Sequence, residues 1–332
     1  MIDNTSASAG TAAEAAPAEA AAPVRPRLTL RQRLSHLDTK VSPYVYVLPF
    51  FVVFLIIGFY PMAYSGYLSF FSWPRFGVTH GPGVGWANYS HVLHDPVFRK
   101  ALVNTFGIFL ISSIPQIIIA TIVAALLDNE LRGRTWWRMS VLLPFVVAPA
   151  ATALIFGSLF ADRSGLVNDA LHGLGLSGVN WHSNRPASWL AIATMVNWRW
   201  TGYNALILLA AMRAIPGELY EAASIDGAGR VRQFLSITVP GIRPTLLFVI
   251  ITSTIGGLHI FTEPRLFDTN LQHQGGANYE YQTLTMYVFN TANSATNPYP
   301  RAAAATWIEV LLIIAVSLGS FLLTRAAQRR SS

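Results

Sequence analysis

The side chains with which proteins usually do covalent chemistry are sparse in this sequence, and none is spaced for it. There is no cysteine, which excludes thiol nucleophiles, disulfides and thiolate zinc sites. A phosphate-cradling loop needs a lysine directly after a glycine, yet the two lysines, Lys40 and Lys100, follow Thr39 and Arg99. No HExxH, GxSxG or His/Asp/Glu metal spacing occurs. The expectation is a chain that is not an enzyme and itself binds neither cofactor nor metal. A different chemistry is written at Glu221-Ala222-Ala223-Ser224-Ile225-Asp226-Gly227, followed after nine residues by Ile237-Thr238-Val239-Pro240. Leu219, Ala222 and Ala223 share a helical face whose small side chains let another protein's backbone come close, with the Glu221 carboxylate beside them. That is the chemistry of docking. The alternative is an ordinary amphipathic loop.

The elements around this segment follow from local rules. Pro216 suits a first helical turn, where its missing N–H costs nothing. Glu218 and Glu221 lie toward the positive end of the helix dipole, and Gly227 is a natural stop. Val231, Phe234 and Leu235 then give a second amphipathic turn or two, which Pro240 is expected to end. The predicted shape is helix, glycine turn, helix.

The flanking sequence is strongly apolar: 52% of residues are hydrophobic, mean hydropathy is +0.41, and only 12% are charged. Soluble domains carry about twice that share of charge. Six stretches, 44–71, 101–127, 139–160, 189–212, 245–263 and 302–324, approach or exceed the ~20 residues a spanning helix needs. Placing the N-terminus in the cytoplasm puts 15 Lys and Arg residues inside and 7 outside, with Arg199 within a span. The positive-inside rule therefore predicts N-in and C-in, with the 213–240 loop cytoplasmic. The net charge of +7 is spread along the chain in this pattern and forms no patch for nucleic acid.

Residues 1–24 hold no Lys or Arg and lack the basic and apolar regions of a signal peptide; their Ala/Pro-rich composition predicts a disordered tail. Residues 25–42 form a basic segment. In it Thr29 and Gln32 match a capping box, and Leu30, Leu34 and Leu37 share a face, so it reads as an interfacial helix or a basic linker. A permease domain is expected over 43–325 and a cytoplasmic tail over 326–332.

The Glu-Ala-Ala triplet, Gly227, Ile237 and Pro240 in this order and loop resemble the cytoplasmic coupling loop of ABC-importer permeases. Trp198-Arg199-Trp200-Thr201-Gly202-Tyr203-Asn204, Ile215-Pro216 and Phe261-Thr262-Glu263-Pro264 resemble the carbohydrate branch, akin to the maltose, lactose and glycerol-3-phosphate systems. The resemblance runs from about Pro43 to Arg330. Val239 replaces the usual leucine, and the Ala277-Asn278 end of His273-Gln274-Gly275-Gly276-Ala277-Asn278 departs from the Gly-Gly-Gly-Pro stretch frequent in that branch.

The resemblance implies an all-α membrane protein of six spans with the type I ABC importer permease fold, in the plasma or inner membrane. Its implied partners are a second homologous permease, two cytoplasmic ABC ATPases that use ATP and Mg, and an extracytoplasmic solute-binding protein. Glu221, Ala222, Ala223, Asp226, Gly227, Ile237 and Pro240 are then the ATPase-coupling residues, with Glu221 paired to an arginine of the ATPase. A di- or oligosaccharide is the implied solute. Intramembrane polar groups usually face a cavity, which makes Asn197, Trp198, Tyr203, Asn204, His259 and Glu263 the candidate pathway. Trp198 and Trp200 equally suit an interfacial aromatic belt, and Asn204 a bond to a neighbouring helix. Arg199 must snorkel or pair, and Glu309 has no evident partner. Other readings are a permease for a polar non-sugar solute and a self-contained secondary transporter, which leaves the 213–240 loop unexplained.

Overall fold

The computed structural model describes residues 30–73, 81–129, 132–268, 275–294 and 298–329. The expected disordered tail, the Thr29 cap, His273 and Gln274 lie outside the described residues. Regular structure among the described residues is helical, apart from one antiparallel bridge between Phe71 and Gly83.

The chain divides into two units, residues 1–61 and 62–332. In the first, helix α1 (Leu30–Val53) leads into a π-helical turn, Phe54–Phe59, where Tyr60 N–H donates to Leu55 C=O five residues back. Helix α2 (Tyr60–Leu68) follows. The stretch Val41–Leu68 is apolar enough to cross a membrane.

The second unit is built on α4 (Pro96–Asp128) and α8 (Arg185–Met212), its most extensive helix pair. Asp95 caps α4 by accepting from Val97 N–H, and Asn184 caps α8 by accepting from Ala187 N–H, each ahead of a proline in the first turn. Where they meet, small and polar residues predominate: Gly107 under the Trp189 ring, Gln116 bonded to Asn204, and Ala120 and Ala124 packed with Ala205. Small residues let helix backbones approach where lipid removes the hydrophobic drive. Helices α12 (Arg243–Leu258) and α15 (Pro298–Arg329) pack on each other, and α12 also packs on α4. Short helices α3 (Ala87–His94), α7 (Leu166–Gly173) and α14 (Leu284–Ala292) fill the connections.

Two expected spans are broken. The 139–160 stretch splits into α5 (Arg134–Val146) and α6 (Pro149–Leu159), bent by 88°. Val147 and Ala148 are extended there because proline at 149 disfavours helical backbone in the residue before it. The 245–263 stretch ends at Leu258, and helix α13 (Thr262–Phe267) restarts after it. Pro264 has no N–H to donate and fits only in a first turn, so Glu263 belongs to α13 instead of the fifth span. Among the described residues, three unbroken helical stretches, Val41–Leu68, Pro96–Asp128 and Pro298–Leu322, are long and apolar enough to cross a membrane. Two bent pairs raise the total to five, and α8 falls outside this set. Its Asn197, Arg199 and Asn204 lower its hydropathy.

Candidate functional site: a polar cavity and a helical hairpin

Helix α9 (Gly217–Ile225) begins one residue later than Pro216, which serves as its N-cap. It stops at Gly227, whose φ of +75° is the left-handed conformation that only glycine takes without strain. Ala228 N–H donates to Ala223 C=O at 2.8 Å and Gly227 N–H to Ser224 C=O at 3.1 Å, the paired bonds of a Schellman end. The second helix departs from expectation at Pro240. It runs as α10 (Arg230–Gln233), a π-helical turn Phe234–Thr238 and α11 (Val239–Gly241), and breaks only at Ile242 before α12, with a 71° bend. Pro240 is accommodated because it falls in the first turn after the π segment, where no donor is needed from it.

Three hydrogen bonds fasten the hairpin. Tyr220 Oη and Thr238 Oγ1 are 2.9 Å apart, and Gln233 Nε2 donates to both Ser224 Oγ and Ala228 C=O at 2.9 Å. Glu221, Ala222, Asp226 and Gly227 are exposed, while Ala223, Ile237 and Pro240 are half-buried. Beneath it, Arg213 Nε lies 3.4 Å from Asp128 Oδ1 and ties the ends of α8 and α4 together.

A cavity of about 480 Å3 opens among α4, α8, α12 and the α12–α13 break. Of the residues expected on a solute path, Tyr203, Asn204, His259 and Glu263 line it, and Asn197 and Trp198 do not. Trp198 turns away and packs its ring 5.6 Å from Phe156, and Asn197 keeps a buried Oδ1 with no hydrogen-bond partner among the described residues. Asn204 Nδ2 donates to Ser253 Oγ at 3.1 Å and Gln116 Oε1 at 3.4 Å. Tyr203 stacks on Phe145 at 4.5 Å. Ser113, Gln116, Thr252, Ser253 and Thr262 add to the polar lining. The sequence reading did not place them on a solute path, although Ser112, Ser113 and Gln116 interrupt an apolar run at helical spacing.

The two charges within expected spans that the sequence left open both have partners. Arg199 Nη1 meets Glu263 Oε1 at 3.1 Å with the side chains 13% and 8% exposed. The guanidinium carbon also lies 5.4 Å from the Trp200 ring centre and 5.9 Å from that of Phe145. Removing one member of such a buried pair typically costs about 3–5 kcal/mol. Glu309 accepts from Thr285 Oγ1 at 2.6 Å and lies 3.2 Å from His259 Nδ1. Behind the cavity the loop carrying Ala277 and Asn278 turns sharply at Gly275 and Gly276 (φ +102° and +92°) and docks on α4. There Asn104 Nδ2 donates to Tyr279 C=O at 2.8 Å and to Gln282 C=O at 3.0 Å.

A sequence profile of the binding-protein-dependent transport system inner membrane component matches residues 83–332, and the chain belongs to this family of ABC-transporter permeases. Its fold is that of a type I ABC importer permease. A crystal structure of a bacterial ABC transporter involved in the import of the acidic polysaccharide alginate contains a chain with a TM-score of 0.73 and 22% identity. The match covers 89% of this chain and 99% of that one. Among individual relatives, the lactose transport system permease protein LacF of Rhizobium radiobacter is 32% identical, over 86% of this chain and 94% of LacF. The arabinooligosaccharides transport system permease protein AraP of Halalkalibacterium halodurans is 31% identical, over 87% and 90% respectively.

Proposed function

We propose that this chain is a membrane-spanning permease subunit of an ATP-driven importer for a di- or oligosaccharide. It works with a second homologous permease, two copies of a cytoplasmic ABC ATPase that supply the ATP and Mg chemistry, and an external solute-binding protein. The chain crosses the plasma or inner membrane six times, with both termini and the 213–240 loop in the cytoplasm. Its permease domain is 43–325, flanked by the basic segment 25–42, the 1–24 tail and the 326–332 tail. Glu221, Ala222, Ala223, Asp226 and Gly227 contact the ATPase, with Ile237 and Pro240 shaping the second limb.

The observation that carries the reading is the cavity, in which aromatic faces and uncharged hydrogen-bonding groups converge around Asn204. Aromatic rings cover the C–H faces of a sugar, and amides and hydroxyls exchange hydrogen bonds with its hydroxyl groups. LacF and AraP, both named for saccharides, support the same solute class. The test is uptake of radiolabelled disaccharides and arabino-oligosaccharides in a strain lacking this gene, complemented with the wild-type chain or Asn204→Leu. Uptake restored by the wild type and cut about tenfold or more by Asn204→Leu at equal membrane abundance is expected from the loss of a polar group in a hydrogen-bonding site. Unchanged uptake of every saccharide on deletion overturns the reading.

A further inference from the structure

Arg199 is the one permanently cationic side chain among the described residues lining the cavity; its charge is already offset through Nη1, while its buried Nε has no hydrogen-bond partner among the described residues. Glu263, on the far side of the α12–α13 break, meets its guanidinium at 3.1 Å, and both groups are largely buried. The two aromatic rings beside the guanidinium occupy part of the space around it. The remaining polar lining consists of amides and hydroxyls, with His259 held through Nδ1 to Glu309. An incoming carboxylate, sulfonate or phosphate therefore finds no free cation to offset its desolvation, which is severe for an unpaired charge. It also meets the carboxylate of Glu263 at the wall.

From this geometry we propose that the Arg199–Glu263 pair makes the cavity a charge filter, with Glu263 the residue that restricts the solute to uncharged saccharides. This rests on the cavity being the solute path. Removing the Glu263 carboxylate while keeping Arg199 turns the same wall into an anion-attracting one.

The chain has no native cysteine, so the potential in the cavity is measurable directly. Thr252, exposed on α12 and lining the cavity, is replaced by cysteine in the full chain in native membranes. The rates of modification by anionic, neutral and cationic methanethiosulfonates of similar size are then followed by loss of a maleimide-polymer gel shift. Adding Glu263→Gln is expected to raise the anionic rate about tenfold and leave the neutral rate within about twofold, the scale of focused electrostatics in a low-dielectric cleft. Arg199→Gln instead raises the cationic rate by about the same factor, and the double variant brings both ratios back near the parent. A structural disturbance moves all three reagents together, so the opposite signs of the two single variants isolate charge. The proposal is overturned if either single variant leaves its charged-to-neutral ratio within about twofold of the parent, or if the double variant keeps the anionic gain. These rates need no sugar, so the filter and the saccharide reading fail separately: uptake tests one and reagent rates the other.

Discussion

Glu221 stands exposed at the start of the loop hairpin with no ion-pair partner among the described residues, which suits a contact supplied by another subunit. Glu221→Ala is expected to lower solute uptake about tenfold or more at normal membrane abundance, as loss of a charge pair buried at an interface does. Uptake at the wild-type rate with normal abundance excludes Glu221 from coupling. Gly227 gives a finer test. A Cβ there meets nothing within 4 Å, so the cost of a side chain is backbone strain alone, about 1–2 kcal/mol for Ala. Asn tolerates the left-handed conformation, and Gly227→Asn should therefore retain clearly more uptake than Gly227→Ala; equal loss in both variants contradicts this. Gly227 was legible in the sequence because a helix stop is a local event. The partners of Arg199 and Glu309 were not, since Glu263 lies 64 residues from Arg199 and His259 lies 50 residues from Glu309. Only the packed helices bring them together.

Among the helices, the apolar runs located the elements well and their interruptions poorly. Pro149 sits inside a stretch that composition reads as continuous and Pro264 directly after the end of another, yet each marks a restart that moves residues into a new element. The polar stripe of α4 was also missed, since Ser113 and Gln116 gain meaning only when α8 and α12 close over them. Gly202 shows how tightly the elements meet. A Cβ added there overlaps the Val141 carbonyl oxygen of α5, and no side-chain rotation relieves a clash with backbone. Gly202→Ala should reduce membrane abundance severalfold by forcing α5 and α8 apart, an overpacking cost of roughly 1–3 kcal/mol. Gly319→Ala on α15, where a Cβ meets nothing, should leave abundance unchanged or raise it, since Ala favours helix by roughly 1 kcal/mol. Immunoblots of membranes from the two variants settle the comparison; normal abundance of Gly202→Ala refutes the close approach.

For the molecule as a whole, the orientation in the bilayer rests on the placement of arginines and lysines. A single cysteine at Ser224, on the exposed face of α9, checks it without background because the chain supplies no other thiol. Impermeant maleimide should label it only in inverted vesicles, and a cysteine on the ATPase should cross-link to it. Labelling from outside intact cells reverses the topology. The class of the molecule was legible in its sequence because hydropathy, charge asymmetry and loop spacing all agree. The cavity was not, because its walls come from segments more than a hundred residues apart.

If a partner presses on the exposed face of α9, the hydroxyl contact between Tyr220 and Thr238 would serve as the pin of a bell crank. Helix α9 is the short input arm, the 71° elbow at Ile242 is the pivot, and α12 is the output arm. At 1.5 Å per residue its 16 residues make that arm about 24 Å long. A tilt of roughly ten degrees about the elbow displaces Ser253, about 15 Å along the arm, by some 2–3 Å. That is enough to part Ser253 Oγ from Asn204 Nδ2, now 3.1 Å apart. In that geometry, a push on α9 that tilted α12 by this much would open the hydrogen-bonded wall of the cavity from a distance.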